Sequence, residues 1–433
     1  MILAPVIPQR EAELRCLLAS MNDAPGRVNA NNALIPFGQL ESVHVARLVI
    51  LDDRTTGDVR VYGLAPRTYP LYLAFLGNLD GDRDAFLEDL ARRAAAGLRA
   101  IWSCCEGFTA DADLVGWMKG HSRPAIASYV NWRGRTVRRV REEAALGDAL
   151  ERHIDSQAPA LQGAPPGELH KTLRQLVNAD IAAGRLVLSP EESTPFGWWI
   201  GNLLHLVGPP LLVLLALPLL LLASPLLLVI GVVFVIQLRR LEKTDPELCS
   251  RVDGAYSDSL AALEDHDVTN QFTAMGSLKP GIVRLTTVIA VLWLVDYFAR
   301  HVYTRGQLAR IRTIHFARWV FLDNRARVVF CSDYDGSVKS YMDDFINKVG
   351  FGLNVSFSSG IGYPRTNWLV LDGCADERKY EEFLRRHTLP TQVWYKAYPG
   401  LTAIDLERNG RIRQGLESSS LSDREAREWA ALL

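Results

Sequence analysis

Between Ser193 and Leu238 the chain carries no charged residue, and Trp198–Leu238 is almost wholly apolar. As helix, at ~1.5 Å per residue, that run would measure about 61 Å, roughly twice a ~30 Å hydrocarbon core. A buried helix of a water-soluble domain does not need this length. The segment marks a membrane protein.

The remainder of the 433 residues reads as folded and charge-balanced. Lys+Arg is 48 against Asp+Glu 49, a net charge of -1, without the basic excess that nucleic-acid binding would bring. A hydrophobic content of 48% with 22% charged residues excludes a disordered chain. Six cysteines, two of them adjacent at Cys104 and Cys105, do not make a disulfide framework and point to a reducing compartment. Met1–Cys16 lacks a basic start followed by an apolar core, so no cleavable secretory signal is expected.

The chain also echoes itself. Val43–Arg54 aligns without gaps to Ile314–Arg325, and Phe75–Phe108 aligns to Phe330–Tyr363 with Asp80/Asp335, Gly81/Gly336 and Gly97/Gly352 matched. A third echo pairs Tyr129, Gly134 and Thr136 with Tyr395, Gly400 and Thr402. Three blocks in one order predict a duplicated domain with a copy on each side of the apolar run.

Each copy has the pattern of an α+β sandwich. In the second, strands are expected at His315–Leu322, Val328–Ser332, Leu353–Ser358, Trp368–Leu371 and Gln392–Tyr398, with helices over Ser337–Val349 and Asp376–His387. Gly97 and Gly352 are expected as left-handed caps just past the first helix. The fold class is thus two tandem ferredoxin-like modules separated by a transmembrane helical segment. The expected divisions are an N-terminal segment (1–30), the first module (31–155), a linker and helix (156–195), the membrane segment (196–240), a juxtamembrane segment with a second apolar helix at 282–299 (241–304), the second module (305–417) and a C-terminal helix (418–433).

If the twin modules are to pair, they share one side of the membrane and the number of crossings is even. Breaks at Pro209-Pro210, Pro218 and Ser224-Pro225 suit a hairpin, with Arg239, Arg240 and Lys243 inside. A layout with one crossing near Leu211–Leu238 and another at Ile282–Ala299 satisfies the same constraint. Either places both modules in the cytoplasm, at a bacterial inner membrane.

The motifs of P-loops, zincins and nucleophile elbows are absent, and the membrane run has no ionisable residue apart from His205. Transport along a proton or ion path is therefore disfavoured. Asp80-Gly81 and Asp335-Gly336 close a strand and open a helix, which suits turn and capping roles. Gly77-Asn-Leu-Asp80-Gly81 also resembles the distal motif of dye-decolourising peroxidases, built on paired ferredoxin-like modules. That resemblance implies haem as cofactor, Asp80 as the acid–base group and Arg47 as its partner. Ser332 departs from the motif's first glycine in the second copy, and no proximal histidine is matched.

His44, His315 and Arg318 recur with Arg47 at matching strand positions. A spacing of three sets His and Arg on opposite sheet faces unless a bulge intervenes. With Asp335 they either anchor the sheets or line a pocket between the modules. Arg135, Arg138 and Arg139 share a helix face suited to anionic headgroups, or to ion pairs with nearby Glu142 and Glu143. Glu264-Asp265-His266-Asp267 holds metal-capable types, but consecutive residues diverge, so no metal is expected. Ile35-Pro-Phe-Gly, Val43-His-Val-Ala-Arg, Asn270-Gln271, Lys279-Pro-Gly281 and Ile314-His-Phe-Ala-Arg-Trp resemble a bacterial membrane-protein family that brings an architecture and no reaction. The expectation is a bilayer-anchored protein binding an apolar or lipid-derived small molecule, with a haem peroxidase or a membrane scaffold for a soluble partner as alternatives.

Overall fold

The computed structural model describes residues 1–161, 163–247 and 251–433. The expected linker over 158–167 and the juxtamembrane segment thus each include positions (162 and 248–250) outside the described residues. The protein is mixed α+β, and three of its helices are long and apolar enough to cross a membrane.

The larger strands are β1 (Ile2–Pro5), β2 (Val43–Leu51), β3 (Tyr72–Leu79), β4 (Ala127–Val130), β5 (Thr269–Ser277), β6 (Ile314–Leu322), β7 (Arg327–Asp335) and β8 (Thr391–Lys396). They form two four-stranded antiparallel sheets in the orders β1-β3-β2-β8 and β5-β7-β6-β4. Each sheet takes its last strand from the other half of the chain. β8 pairs with β2, Trp394 opposite Arg47, and β4 pairs with β6, Ser128 opposite Arg318.

Among the helices are α1 (Glu11–Ala19), α2 (Arg83–Trp102), α3 (Leu114–Gly120), α4 (Val137–Ser156), α5 (Pro166–Ala182), α6 (Phe196–Leu222), α7 (Ser224–Thr244), α8 (Ile282–His301), α9 (Val338–Phe357), α10 (Glu377–His387), α11 (Ala403–Glu417) and α12 (Asp423–Ala430). Their starts follow from capping chemistry. The Asp82 side chain accepts from the amides of Asp84 and Ala85 at α2, Ser337 caps α9, and Thr402 with Asp405 closes a capping box on α11.

Several expectations are corrected. Leu353–Ser358 is not a strand: α9 runs on to Phe357 through a break in helical geometry at Val349, as α2 does at Ala94. Gly97 and Gly352 lie inside these helices and are not left-handed caps. Trp368–Leu371 is not a strand: its first three residues are the bend of a small hairpin, Trp368 and Leu369 having positive φ, and Leu371 opens the short second strand opposite Asn367. β1 and β5 complete the sheets from stretches that carry little strand signal: one is four residues long and the other, Thr269–Ser277, is largely polar or small.

The two sheets pack face to face. Leu3, Val49, Leu51, Ala74 and Leu76 of one meet Met275, Val320, Leu322, Val329 and Cys331 of the other. At ~1.5–3 kcal/mol per buried large aliphatic side chain, this dry layer is a main source of cohesion between the halves. Helices α1–α3 cover the outer face of the first sheet and α8–α10 that of the second.

Candidate functional site

Where the chain echoes itself, the residues make matching bonds. Asp80 Oδ1 meets His44 Nε2 at 2.9 Å, and its Oδ2 accepts the Val137 amide at the start of α4 (2.7 Å). Asp335 Oδ1 meets His315 Nε2 at 2.6 Å, and its Oδ2 accepts the Ala403 amide at the start of α11 (2.7 Å). Each carboxylate thus joins a strand histidine to a helix N-terminus, where negative charge is favoured. Burial alone would raise the Asp335 carboxyl. His315, the Thr269 hydroxyl and the Ala403 amide outweigh it and hold the group below its ordinary value.

The register of β2 shifts between Val43 and Val45, and that of β6 between Ile314 and Phe316. The extra residues are His44 and His315, so a bulge intervenes at both positions. His44 lies against Phe316 of the opposite sheet and shares Nδ1 with the Tyr398 hydroxyl at 3.0 Å. Beside His315, Lys396 donates to Thr269 Oγ1 (2.6 Å) and the Leu401 carbonyl (2.7 Å). Sequence reading missed this lysine. The matching position, Val130, is apolar, so the echo gave no signal there.

Burial pushes the Lys396 ammonium down to about 8 and raises the Tyr398 phenol. Below about pH 8 the folded chain bears the cost of a buried charge. As pH rises from about 8 toward 10 the folded state releases its proton before the unfolded one, so stability rises. Above pH 10 the buried tyrosines, protonated only when folded, reverse the slope. Burial also pushes Lys279 down to about 8, so Lys396→Met is expected to make the rising limb between pH 8 and 10 shallower in urea-unfolding midpoints; an unchanged limb would refute the assignment.

Asp80 and Arg47 are not brought together. The Arg47 guanidinium crosses between the sheets to the carbonyls of Phe272 (2.8 Å) and Ser332 (3.0 Å), the Thr273 hydroxyl (3.0 Å) and the Asp333 carboxylate. Arg318 reciprocates, reaching the Gly77 carbonyl (3.2 Å) and the Asn78 side chain. Only about 10 Å³ of void remains beside these arginines. That void, lined among the described residues by Val45, Leu76, Phe316 and Cys331 as well as the two arginines, is smaller than a small-molecule site.

Arg135, Arg138 and Arg139 all face carboxylates: Arg135 and Arg139 approach Glu143 at 3.5 and 2.7 Å, Arg139 also meets Glu191 at 2.7 Å, and Arg138 meets Glu192. Within 264–267, Glu264 pairs with Arg385 (2.6 Å), His266 turns to the Ala262 carbonyl (2.8 Å), and no group of three metal-capable side chains occurs among the described residues. Burial raises both adjacent thiols, Cys105 to about 12, which keeps them protonated and unreactive.

The open space lies elsewhere. A cavity of about 390 Å³ is enclosed by the outer face of the second sheet (Phe272, Ala274, Ala317, Trp319, Phe330), α8 (Val291, Leu294, Val295, Phe298), α9 (Tyr341, Met342, Phe345, Val349, Gly352) and α10 (Phe383, Leu384, His387). That volume is in the ~300–1,000 Å³ range of small-molecule sites. No Asp, Glu, Lys or Arg lines it. Leu294, Phe298 and Phe351 at its walls are 45%, 46% and 62% exposed, so the cavity opens beside the outward face of α8.

The corresponding groove in the first half is stoppered by the chain itself. The backbone of Leu34 crosses α2 at Gly97, where an added Cβ would lie 2.0 Å from the Leu34 oxygen. Asn32 secures this stopper: its Oδ1 accepts the amides of Leu34 (3.0 Å) and Ile35 (2.9 Å), and its Nδ2 donates to the Ile35 carbonyl (2.7 Å). Ile35 and Phe37 are fully buried beneath it. At Gly352 an added Cβ would meet nothing within 4 Å.

Haem does not fit these residues. Asp80 is bonded to His44 and a helix amide, Arg47 belongs to the filled inter-sheet layer, and the one histidine at the apolar cavity directs both ring nitrogens to backbone carbonyls. His387 Nδ1 lies 2.7 Å from the Phe383 oxygen and Nε2 3.1 Å from that of Ile361. Comparison with protein-family models, with curated proteins and with solved structures finds no match to this chain.

Proposed function

We propose that the chain is a membrane-anchored binding protein whose second half holds an apolar, lipid-derived tail in the cavity between its sheet and α8–α10. The reading rests on one observation: a charge-free cavity of about 390 Å³, one wall of which is a helix apolar enough to lie in a bilayer. An apolar occupant gains burial there at ~25 cal/mol per Å² without leaving a charge unpaired. The stoppered groove of the first half supports the same view, since there Ile35 and Phe37 supply the apolar filling that a ligand would supply in the second.

In this reading the chain is a duplicated ferredoxin-like module whose two copies have exchanged their final strands. Both copies lie on the cytoplasmic side of a bacterial inner membrane. The first copy is structural and the second carries the site.

Lipids extracted from the protein purified in mild detergent test the proposal by mass spectrometry. The parent chain is expected to retain a defined acyl or isoprenoid species. Gly352→Leu, which extends a side chain into the cavity without meeting backbone, should lower the retained amount about tenfold or more, the equivalent of ~1.4 kcal/mol. Equal retention by both chains, or no specific species in either, would defeat it. The filled layer between the sheets favours the second reading, a scaffold for a soluble partner, and that reading takes precedence if no species is retained.

A further inference from the structure

The hydrogen bonds that join the three apolar helices and their flanks bear on how the protein meets the bilayer. Near the start of α6, Asn202 Oδ1 accepts from Arg300 (2.9 Å) and His205 meets His301 at 2.8 Å, both partners being at the C-terminal end of α8. Past the end of α7, Asp245 Oδ2 accepts from Lys279 (2.7 Å) and Arg284 (2.5 Å), just before and within the first turn of α8. The feet of α6 and α7 therefore stand at opposite ends of α8, and the legs converge on Ala223.

Arg284 and Arg300 are about 24 Å apart along α8, and each leg from foot to bend is about 30 Å, at ~1.5 Å per residue. Allowing for side-chain reach, the bend stands about 20–30 Å above the feet, no farther than the far edge of a ~30 Å hydrocarbon core. The bend is also built to stay dry. Ala223 alone separates the helices, its amide donating to the Leu219 carbonyl (2.9 Å) and its carbonyl accepting from the Leu227 amide (2.9 Å), while Pro225, having no N–H, leaves the Leu221 carbonyl without its helical donor and sets the bend there. No charged residue occurs from Ser193 to Leu238 to be delivered to water on the far side. Lower down, Pro210 has no N–H for the Leu206 carbonyl, and the Tyr297 hydroxyl of α8 fills that vacancy at 2.9 Å.

α8 itself lies flat on the protein. Arg284, Val288, Leu292 and Ala299 are buried on one face, against the sheet where the Ser128 amide of β4 bonds Asp296 (3.0 Å). Trp293 and Leu294 are exposed on the other. An apolar outward face with tryptophan on it suits the headgroup–acyl boundary.

We propose that α6 and α7 form a re-entrant arch that enters and leaves the bilayer through one face, its tip within the hydrocarbon, and that α8 ties its feet along the interface. The protein would then occupy one side of the membrane without exposing any segment on the other. This does not depend on the ligand reading.

Membrane-impermeant maleimide labelling tests it in right-side-out and inverted vesicles, with parent-chain labelling subtracted. Ser193→Cys and Thr244→Cys, at the two feet, are expected to label from the same side. Ala223→Cys should label from neither side and become reactive only in detergent. Ser224→Cys at the same depth serves if Ala223→Cys is poorly expressed. Labelling of the tip from either side of intact vesicles, or of the two feet from opposite sides, would overturn the arch.

Discussion

Arg47→Ala is expected to cost about 3–5 kcal/mol, the largest loss from any single substitution in the two sheets. The guanidinium is 3% exposed and satisfies two carbonyls, a hydroxyl and the Asp333 carboxylate, all on the opposite sheet. Truncation strands a buried carboxylate and the acceptors beside it in the cavity that the side chain vacates. The double variant Arg47→Ala/Asp333→Asn should recover part of the loss, because the stranded group is then neutral. Arg318→Ala is expected to cost less, about 1–3 kcal/mol, since Arg318 faces Asn78 and a carbonyl without a carboxylate. Urea-unfolding midpoints measure all three, and equal losses at Arg47 and Arg318 would contradict the role given to Asp333.

Gly97→Ala and Gly352→Ala should differ in sign. An added methyl at Gly97 would lie 2.0 Å from the Leu34 oxygen and 2.4 Å from its Cα, so backbone must move and the stopper held by Asn32 is displaced. The expected cost is about 3 kcal/mol, the upper end of ordinary overpacking. At Gly352 the space is open and the residue is helical, so alanine should stabilise by up to ~1 kcal/mol. Thermal midpoints of the two variants check this. A similar loss at both positions would mean that the second groove is as closed as the first.

The sequence echo selected the residues whose bonds the structure matches. His44, Asp80, His315, Asp335, Thr136 and Thr402 were each marked by the echo as matched positions, but that each histidine bonds the aspartate and each threonine caps the following helix came only from the folded structure. Gly81 and Gly336, with φ of 80° and 86°, show why glycine recurs there. What stayed hidden is what local patterns do not encode. That β8 joins β2 and β4 joins β6 depends on which sheet edge is free, and no periodicity in Thr391–Lys396 records its partner. Gly97 and Gly352 align, yet one accommodates backbone and the other borders a void. The difference arises from a segment more than fifty residues upstream of Gly97, which sequence spacing alone does not reveal. Arg47 was found but misassigned, since matching an arginine to Asp80 required a distance that only the folded sheets supply.

The strand that each sheet takes from the other half of the chain also sets a timetable for biosynthesis. The inner strands of the first sheet are complete once residue 79 leaves the ribosome, but the strand that closes its edge ends at Lys396. At ~5–20 residues per second, the nascent β2 edge waits about 15–60 s for that partner. During the wait the three apolar helices are synthesised while an unpaired row of peptide groups stands open to other chains. A message truncated before residue 391 would therefore yield a half-protein that inserts but never seals, and its expected fate is aggregation at the membrane surface.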